Sequence, residues 1–281
     1  MALEKRVYSS NKQYRFTKIL QASLLGFKNS YYLAKQLALR DLKAQYRQSL
    51  LGVFWAFAPL IINSLVWIFL QGSGTIKLSE TNVPYPLFVI IGTTLWSLFG
   101  EALQLTTQSV KGNQSILTKV NFDKEALITL GCLKYGVNML LKFSIIVVFM
   151  VFYQRIPTWD MVWFIPLLLV SVLFFISIGI LLTPIGLLYN DVGRMIPIGM
   201  QFLMYITPVV YAFPKEGLMY EIMRWNPIAY LMQDLRQVLT GFPLEYGPFW
   251  IGFVLLSILL FLMALVVYRV SIPIITERMS A

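Results

Sequence analysis

The chain has 281 residues, of which 58% are hydrophobic, and its 23 Lys and Arg outnumber its 13 Asp and Glu. This apolar content is too high for a water-soluble domain of this size. The chain has no His, the commonest metal ligand and neutral-pH general base. Its single Cys excludes an intrachain disulfide and a multi-cysteine metal site. The composition therefore favours a membrane protein over a soluble enzyme or a metalloprotein.

Six long apolar stretches separate the charged segments, and most can cross a hydrocarbon layer that takes about 20 helical residues. Barrel strands are about ten residues long and alternate in polarity, whereas these runs are continuous, so helix is the structure that satisfies the backbone within lipid. We predict an all-α polytopic membrane protein with six transmembrane helices in one domain, residues 51–270. The predicted spans are 51–70, 85–103, 136–152, 161–188, 195–212 and 248–268.

The basic residues indicate the orientation of the chain. An even number of spans places both termini on one side, which carries 17 of the 23 Lys and Arg, whereas the other side carries five. The positive-inside rule then predicts that residues 1–50 and the tail 271–281 are cytoplasmic. The net charge of +10 is explained by this orientation and by contact with anionic membrane lipids, so nucleic acid is not expected as a partner.

An amphipathic helix is predicted over residues 30–49, ahead of the first span. Apolar positions recur at i, i+3 and i+7, and basic positions repeat this spacing one residue later, which makes two adjacent stripes on one helix. Such a helix lies in the membrane interface, as a plain anchor or as a docking surface for a cytoplasmic partner. The apolar stripe is Leu39, Leu42 and Tyr46, and the basic stripe is Arg40, Lys43 and Arg47.

Lys142 lies within the predicted third span, where a charge costs roughly 2.5–3.5 kcal/mol on insertion scales. It is expected either to face protein or water, or to extend to the interface if the span is shifted outward. Glu101, near the cytoplasmic end of the second span, is the expected partner, because antiparallel neighbouring helices place these two positions at similar depth.

The chain lacks nucleotide-binding loops of the G-x-x-x-x-G-K-[ST] and G-x-G-x-x-G types. If transport here consumes ATP, another polypeptide binds it. The acidic residues are scattered, and the pairs nearest to clusters, Asp123/Glu125 and Glu216/Glu221, fall in predicted loops, where we expect solvated charge. An enzyme acting on lipid-linked phosphate usually carries clustered carboxylates, so an enzyme is disfavoured.

Several short sequences resemble, in the same order, those of bacterial ABC-transporter permeases that export polysaccharides and polyol phosphates, such as the O-antigen, capsule and teichoic-acid exporters. The resemblance covers essentially the whole chain, except that residues 1–29 exceed the length expected of the shorter members. The matching sequences are Arg40-Asp41-Leu42-Lys43, Tyr46-Arg47-Gln48-Ser49, Leu51-Gly52, Trp55, Pro59-Leu60, Asn190-Asp191-Val192-Gly193-Arg194, Thr207-Pro208-Val209-Val210-Tyr211, Trp225-Asn226-Pro227-Ile228-Ala229-Tyr230 and Leu235-Arg236.

The resemblance implies a homodimer of permease subunits around a central canal, with two copies of a separate ATPase on the cytoplasmic side. ATP and Mg are then expected on that partner, and no cofactor is expected in this chain. The resemblance also places a coupling helix in the loop 106–134, which by itself reads as an ordinary interfacial helix. The predicted ATPase-coupling residues are Arg40, Lys43, Arg47, Lys119, Phe122, Lys124, Asp191 and Arg194.

The segment 213–247 is the longest on the external side, and its apolar residues recur at near-helical spacing that is broken at Pro227. It either lies on the membrane surface or dips partway into the bilayer, covered by protein. The resemblance implies a pair of re-entrant gate helices at the outer mouth of the canal. The predicted outer-gate residues are Trp225, Asn226, Pro227 and Tyr230.

Aromatic residues make up 15% of the chain, and many are interfacial by position. The deeper rings offer flat apolar faces on which the C–H face of a sugar can stack, so that a glycan slides without a deep binding site. For each ring, packing against lipid or another helix is the alternative. The predicted canal-lining residues are Phe57, Trp67, Phe202, Tyr205 and Tyr211.

Together, the apolar pattern and the resemblance predict the membrane subunit of an exporter in the bacterial cytoplasmic (inner) membrane. Its expected substrate is a lipid-linked polysaccharide of the O-antigen, capsular or teichoic-acid type, and its expected partners are a second permease copy, the ATPase and membrane lipids. An exporter of small lipids or drugs on the same scaffold is one alternative. A non-transporting membrane assembly factor is the other, and co-purification with an ATPase would separate transporter from scaffold.

Overall fold

The computed structural model describes residues 16–47, 51–75, 81–155 and 158–280. Within these ranges the regular structure is helical and contains no strand. Short 3-10 turns at Gly52–Ala56 and Trp159–Trp163 precede α2 and α6. The α-helices are α1 Phe16–Arg47, α2 Ala58–Gly72, α3 Tyr85–Gly112, α4 Gln114–Lys119, α5 Glu125–Phe152, α6 Phe164–Leu188, α7 Asn190–Tyr205, α8 Leu218–Arg224, α9 Pro227–Leu239 and α10 Gly247–Ser280.

Among the described residues, four helical stretches are long and apolar enough to cross a membrane: Tyr85–Gly112, Glu125–Phe152, Trp159–Leu188 and Gly247–Glu277. They coincide with the predicted second, third, fourth and sixth spans. The predicted first and fifth spans fall on α2 and α7, which have 15 and 16 residues. At a rise of 1.5 Å per residue these helices are about 22–24 Å long. The structure thus establishes an all-α membrane fold, and the count of six spans stays a prediction.

Helix α3 forms the centre of the fold, with α2, α5, α6, α7 and α9 packed around it. Its buried residues include Leu87, Ile91, Leu95 and Leu98, spaced three or four apart as a helix face requires. The Phe99 ring stacks on a Phe of α6 with ring centroids 4.5 Å apart. Because α3 is enclosed on several sides, its polar residues that are not fully buried indicate where solvent can reach the helix.

Helix α1 begins at Phe16, fourteen residues before the predicted start at residue 30. The prediction was too short because residues 16–29 are mixed in polarity, yet Leu20 and Phe27 pack against the main core. The face of α1 that contacts α5 contains Ala34, Leu37 and Ala38. Leu39, from the predicted apolar stripe, is exposed. Leu39 therefore does not lie on the face that packs on the protein, whereas Leu42 is partly buried. The side chains of Tyr46 and Arg47 lie outside the described residues.

The predicted loop 106–134 is largely helical. Helix α3 continues to Gly112 and α5 begins at Glu125, so only residues 113–124, which include α4, connect them. The prediction was wrong here because hydropathy locates the apolar part of a helix, whereas both helices continue through polar residues beyond it. The connection is consequently short and held closely to the membrane helices.

The segment between α7 and α10 contains two helices. Residues 206–211 follow α7 as a buried, non-helical stretch, which we call the 206–211 segment. The predicted break at Pro227 is confirmed: α8 ends at Arg224 and Pro227 is the first residue of α9. The Asn226 side chain accepts a hydrogen bond from the Ile228 N–H at 3.0 Å and so caps α9.

Candidate functional site

A groove of about 870 Å³, open on one side, lies between α2, α3 and α7. On α3 its residues follow the spacing 97, 101 and 104, and on α7 the spacing 197, 201 and 204, so each helix presents one face to it. The groove combines amide side chains with aromatic rings. It is lined by Asn63, Trp67, Trp96, Ser97, Gly100, Glu101, Gln104, Pro197, Met200, Gln201, Met204 and Tyr205.

Two of the five predicted canal-lining residues, Trp67 and Tyr205, meet in this groove although they are on different helices. The other three do not line it. Phe57 is the residue before α2, Phe202 is exposed on α7, and the Tyr211 hydroxyl donates a hydrogen bond to the carbonyl oxygen of Tyr205. The sequence cannot distinguish these rings, because hydropathy does not report the rotation of a helix about its axis.

The groove has the chemistry of a surface for hydroxylated ligands. The amide groups of Asn63, Gln104 and Gln201 each offer donors and an acceptor, which match the hydroxyl groups of a sugar. The rings of Trp67 and Tyr205 add flat apolar surface. Polar residues at this depth within a membrane protein mark pathways that admit water or substrate.

Lys142 is held within the protein by two oxygen atoms of α3. Its Nζ lies 2.6 Å from Ser97 Oγ and 2.5 Å from Glu101 Oε1. The Lys142 side chain is 5% exposed, whereas that of Glu101 is 37% exposed, at the edge of the groove. The pairing offsets the cost of a charge within α5. It also ties α5 to the wall of the groove.

Three polar atoms near this pair are buried without a hydrogen-bond partner in the described structure: Glu101 Oε2, Tyr135 Oη and Asn138 Oδ1. Two cavities of about 590 and 580 Å³ adjoin them, and both are lined in part by Glu101 and Asn138. Polar cavities of this size hold water. The pair is therefore set in a polar region that adjoins the groove.

Helix α1 is joined to the α3–α4 junction and to α5 by a small polar network. Arg40 Nη2 donates to Asn113 Oδ1 and to Asp41 Oδ1, each at 2.7 Å. Lys134 Nζ lies 3.3 Å from Asp41 Oδ2. Arg40 therefore holds α1 in place, in addition to presenting charge at the surface; Lys43 is exposed on the same helix.

The start of α7 lies beside the end of α3. Lys111 Nζ donates to Asn190 Oδ1 at 3.0 Å, and the following residues Asp191 and Arg194 are exposed. Since Asn113 also follows α3, the α1 network and the start of α7 share one end of the molecule. We call this the basic end.

Lys119 and Lys124 differ in environment, although both line a cavity of about 710 Å³ between the α4–α5 connection and α10. Lys119 is exposed. Lys124 Nζ lies 4.5 Å from the centre of the Phe122 ring and 3.4 Å from the Leu117 carbonyl oxygen. Burial lowers the pKa of Lys124 from its ordinary value, and the Asp123 carboxylate opposes this. Lys124 is thus a structural cation, whereas Lys119 is exposed and has no ion pair among the described residues.

The expectation of solvated charge at Asp123 and Glu125 was wrong for Glu125. This carboxylate is buried, and its Oε1 lies 2.5 Å from Arg269 Nη1, while Asp123 is 3.7 Å from the same guanidinium. The Tyr268 hydroxyl donates to the Lys124 carbonyl oxygen at 3.1 Å. These contacts fasten α10 to the start of α5. Sequence reasoning missed them because the partners are 144 positions apart.

Side chains from other elements bind the carbonyl groups of the 206–211 segment. Asn226 Nδ2 donates to the Ile206 carbonyl oxygen at 2.9 Å, and the Tyr85 hydroxyl donates to that of Val210 at 3.0 Å. Arg236 Nη2 donates to the Val209 carbonyl oxygen at 2.5 Å. Non-helical backbone inside a membrane protein needs such partners.

The predicted outer-gate residues all lie around this segment or on the two helices that follow it. Trp225 is exposed between α8 and α9. The Tyr230 hydroxyl donates to the Arg224 carbonyl oxygen at 2.6 Å, which joins α9 to α8. Asp234, which sequence reasoning missed, accepts from Trp250 Nε1 at 2.7 Å and from the Tyr246 N–H, and so fastens α9 to α10.

The apolar helices, the intramembrane charge pair and the open polar groove define a multi-pass membrane protein of the transporter class. Residues 32–240 match the model of the ABC-2 type transporter family, and the chain belongs to this family. The family comprises the membrane parts of ABC transporters. The chain is accordingly a transport subunit, and the class to which it belongs works with an ATPase.

Curated relatives are consistent with this assignment. The chain is 26% identical over 211 residues to an O-antigen export system permease protein of Klebsiella pneumoniae, which covers 74% of this chain and 80% of the relative. It is 25% identical over 202 residues to the protein of the same name from Myxococcus xanthus, covering 71% of this chain and 76% of the relative.

Proposed function

We propose that the chain is the transmembrane subunit of an ATP-driven exporter that moves a lipid-linked polysaccharide, of the O-antigen, capsular or teichoic-acid type, across the cytoplasmic (inner) membrane. The observation that carries the proposal is the groove between α2, α3 and α7, where aromatic faces and amide groups converge. The names of the relatives support the same substrate class.

In this proposal two permease copies face each other so that their grooves form one canal. Six spans bring both termini to the cytoplasm: α2 with the preceding turn and α7 with the 206–211 segment complete the first and fifth spans. Helices α8 and α9 form the re-entrant outer gate. The distribution of 17 basic residues on one side and five on the other supports this orientation.

A protein that moves a polymer stepwise needs a surface along which the polymer can slide. Stacking on Trp67 and Tyr205 depends on the shape of the ring and tolerates translation along it, while the amides of Gln104 and Gln201 exchange hydrogen bonds between successive hydroxyl groups. No single strong site then holds the polymer. In this mechanism ATP hydrolysis by the partner makes the movement directional, and the groove offers many weak contacts that the polymer can exchange as it moves.

Replacing Trp67 or Tyr205 tests this mechanism. Trp67→Leu and Tyr205→Leu keep apolar bulk but lose the flat face, so we expect reduced surface polysaccharide at near-normal membrane abundance; Trp67→Phe and Tyr205→Phe should retain most of the export. Equal export by the Leu and Phe variants at equal abundance contradicts the stacking mechanism. Unchanged surface polysaccharide in a strain without the chain contradicts the function itself and favours a small-lipid or drug exporter, or an assembly factor.

The basic end is proposed as the docking surface for the ATPase, which would carry ATP and Mg. Of the predicted coupling residues, Lys119 and Arg194 are exposed and make no contact that holds the fold together in the described structure. Lys119→Glu with Arg194→Glu should therefore reduce the amount of ATPase that co-purifies, with normal insertion. Lys28→Glu, an exposed lysine of α1, is the control; an unchanged yield of ATPase in the double variant removes these residues from the interface.

A further inference from the structure

A further cavity lies near the start of α3, at the end opposite the basic end. Its volume is about 510 Å³ when the space open to solvent is included, so it is a partly open site. Its walls come from the start of α3, from Phe213 after the 206–211 segment, and from α9. The cavity is separate from the groove between α2, α3 and α7, with which it shares no lining residue.

Arg236 lines this cavity and is only 5% exposed. One face of its guanidinium covers the Phe88 ring at 3.6 Å, and Nη2 binds the Val209 carbonyl oxygen. Its Nε–H has no hydrogen-bond partner among the described residues. Within the described part of the chain, no carboxylate lies at salt-bridge distance. A buried charged donor without a partner is costly, which marks this atom as one that a ligand can complete.

Gln233, one helical turn before Arg236, also lines the cavity. Its Nε2 donates to Glu245 Oε2 at 2.7 Å, and this fixes the orientation of the amide because a carboxylate only accepts hydrogen bonds. In the part of the chain that the structure describes, its Oε1 is buried without a hydrogen-bond partner. Helix α9 therefore holds an unmet donor and an unmet acceptor three residues apart beside one cavity.

A hydroxyl group both donates and accepts a hydrogen bond, so it can complete both atoms. A neutral sugar carries adjacent hydroxyl groups and an apolar C–H face, for which Phe213 provides aromatic surface. A phosphodiester anion would gain from Arg236, but its oxygen atoms only accept hydrogen bonds and would oppose the oxygen of Gln233. The pairing of donor with acceptor therefore favours a hydroxylated ligand over a phosphodiester.

We propose that this cavity binds a single sugar unit, with Arg236 donating to one of its hydroxyl groups and Gln233 accepting from a hydroxyl group. Both atoms are buried in the wall of the cavity, so binding requires the Arg236 and Gln233 side chains to turn toward the ligand. The proposal rests on the proposed function in that the exported polymer is the source of the sugar. Because Arg236 also holds the Val209 carbonyl, the bound sugar contacts the residue that fixes the 206–211 segment.

The test is saturation-transfer difference NMR on the purified full chain in nanodiscs, with the methyl glycosides of glucose, galactose, mannose, rhamnose and N-acetylglucosamine. At least one glycoside should give a saturable signal. Arg236→Lys keeps the charge but removes Nε–H, and Gln233→Met removes the acceptor; each should weaken binding by about fivefold, the effect of one lost hydrogen bond. Gln36→Met, at an exposed glutamine of α1 that does not line the cavity, is the control and should bind like the wild type.

Binding that is equal in all three variants, or no saturable signal from any glycoside, overturns the proposal. Displacement of the glycoside by inorganic phosphate overturns the choice of a hydroxylated ligand. Thermal unfolding checks each variant, and if Arg236→Lys does not fold, Gln233→Met compared with Gln36→Met decides. If deletion of the chain abolishes surface polysaccharide but no glycoside binds, this site is rejected and the proposed function stands. If polysaccharide still reaches the surface without the chain, the proposed function is rejected, whatever the cavity binds.

Discussion

Replacing Glu101 by Gln tests whether its carboxylate holds Lys142 in the membrane. Removing one partner of a buried ion pair costs about 3–5 kcal/mol, because the other charge is left without a counter-charge. The Lys142 side chain is 5% exposed. In the variant, Ser97 Oγ would remain as the oxygen partner of Lys142 described above. Glu101 is 37% exposed, which places the expected loss at the lower limit, about 3 kcal/mol.

The reverse substitution should cost much less. Lys142→Met leaves Glu101, whose side chain is 37% exposed although its Oε2 is buried, so the loss should be smaller, about 1 kcal/mol. In the double variant Glu101→Gln/Lys142→Met, no buried charge remains. Its stability should return to within about 1 kcal/mol of the wild type, because uncharged side chains of similar volume replace a buried pair at little cost.

Thermal unfolding of the purified proteins in detergent measures these differences. A loss of 1 kcal/mol lowers Tm by about 2–4 °C in chains of comparable size, so Glu101→Gln should unfold roughly 6–12 °C below the wild type. Lys142→Met should unfold within about 4 °C of it. Equal shifts in the two single variants, or a double variant as unstable as Glu101→Gln, would refute the reasoning from unequal exposure.

Two further predictions concern the close packing of α3 and the orientation of the chain. Gly92→Ala should sharply reduce stability, because a Cβ would lie 2.0 Å from the Val209 carbonyl oxygen, whereas Gly252→Ala, with no atom within 4 Å, should be tolerated; similar melting of both variants contradicts the packing. In a cysteine-free background, Glu216→Cys should react with an impermeant maleimide in intact cells, and Lys28→Cys only after permeabilisation. The opposite labelling pattern would reverse the topology.

Much of the fold follows from the lengths of apolar runs. Helices α3, α5, α6 and α10 were predicted because each contains enough consecutive apolar residues to span a bilayer, and no soluble arrangement competes with that reading. The ends of the helices were not predicted, because α3 and α5 continue beyond their apolar parts through the polar residues Gln108, Lys111 and Lys134. A charged residue ends an apolar run without ending a helix.

Contacts of the site could be predicted from the sequence where the depth of a residue in its helix determines its partner. They could not be predicted where the partners are far apart in the sequence. The pairing of Lys142 with Glu101 follows from two antiparallel helices at one depth. The contacts of Arg236 with Val209 and of Arg269 with Glu125 depend on the tertiary fold, since the partners are 27 and 144 positions apart. No local pattern in the sequence indicates them.

The way the 206–211 segment is held has a consequence for which substitutions the chain tolerates. Each of its bound carbonyl groups belongs to the main chain and would be supplied by any residue type, whereas each donor, from Tyr85, Asn226 or Arg236, belongs to one particular side chain. Within the segment, Thr207 and Tyr211 also form hydrogen bonds through their hydroxyl groups, whereas Ile206, Val209 and Val210 are constrained mainly by size. The three distant donors are constrained by chemistry, so a mutational scan should find the least freedom outside the segment whose shape they determine.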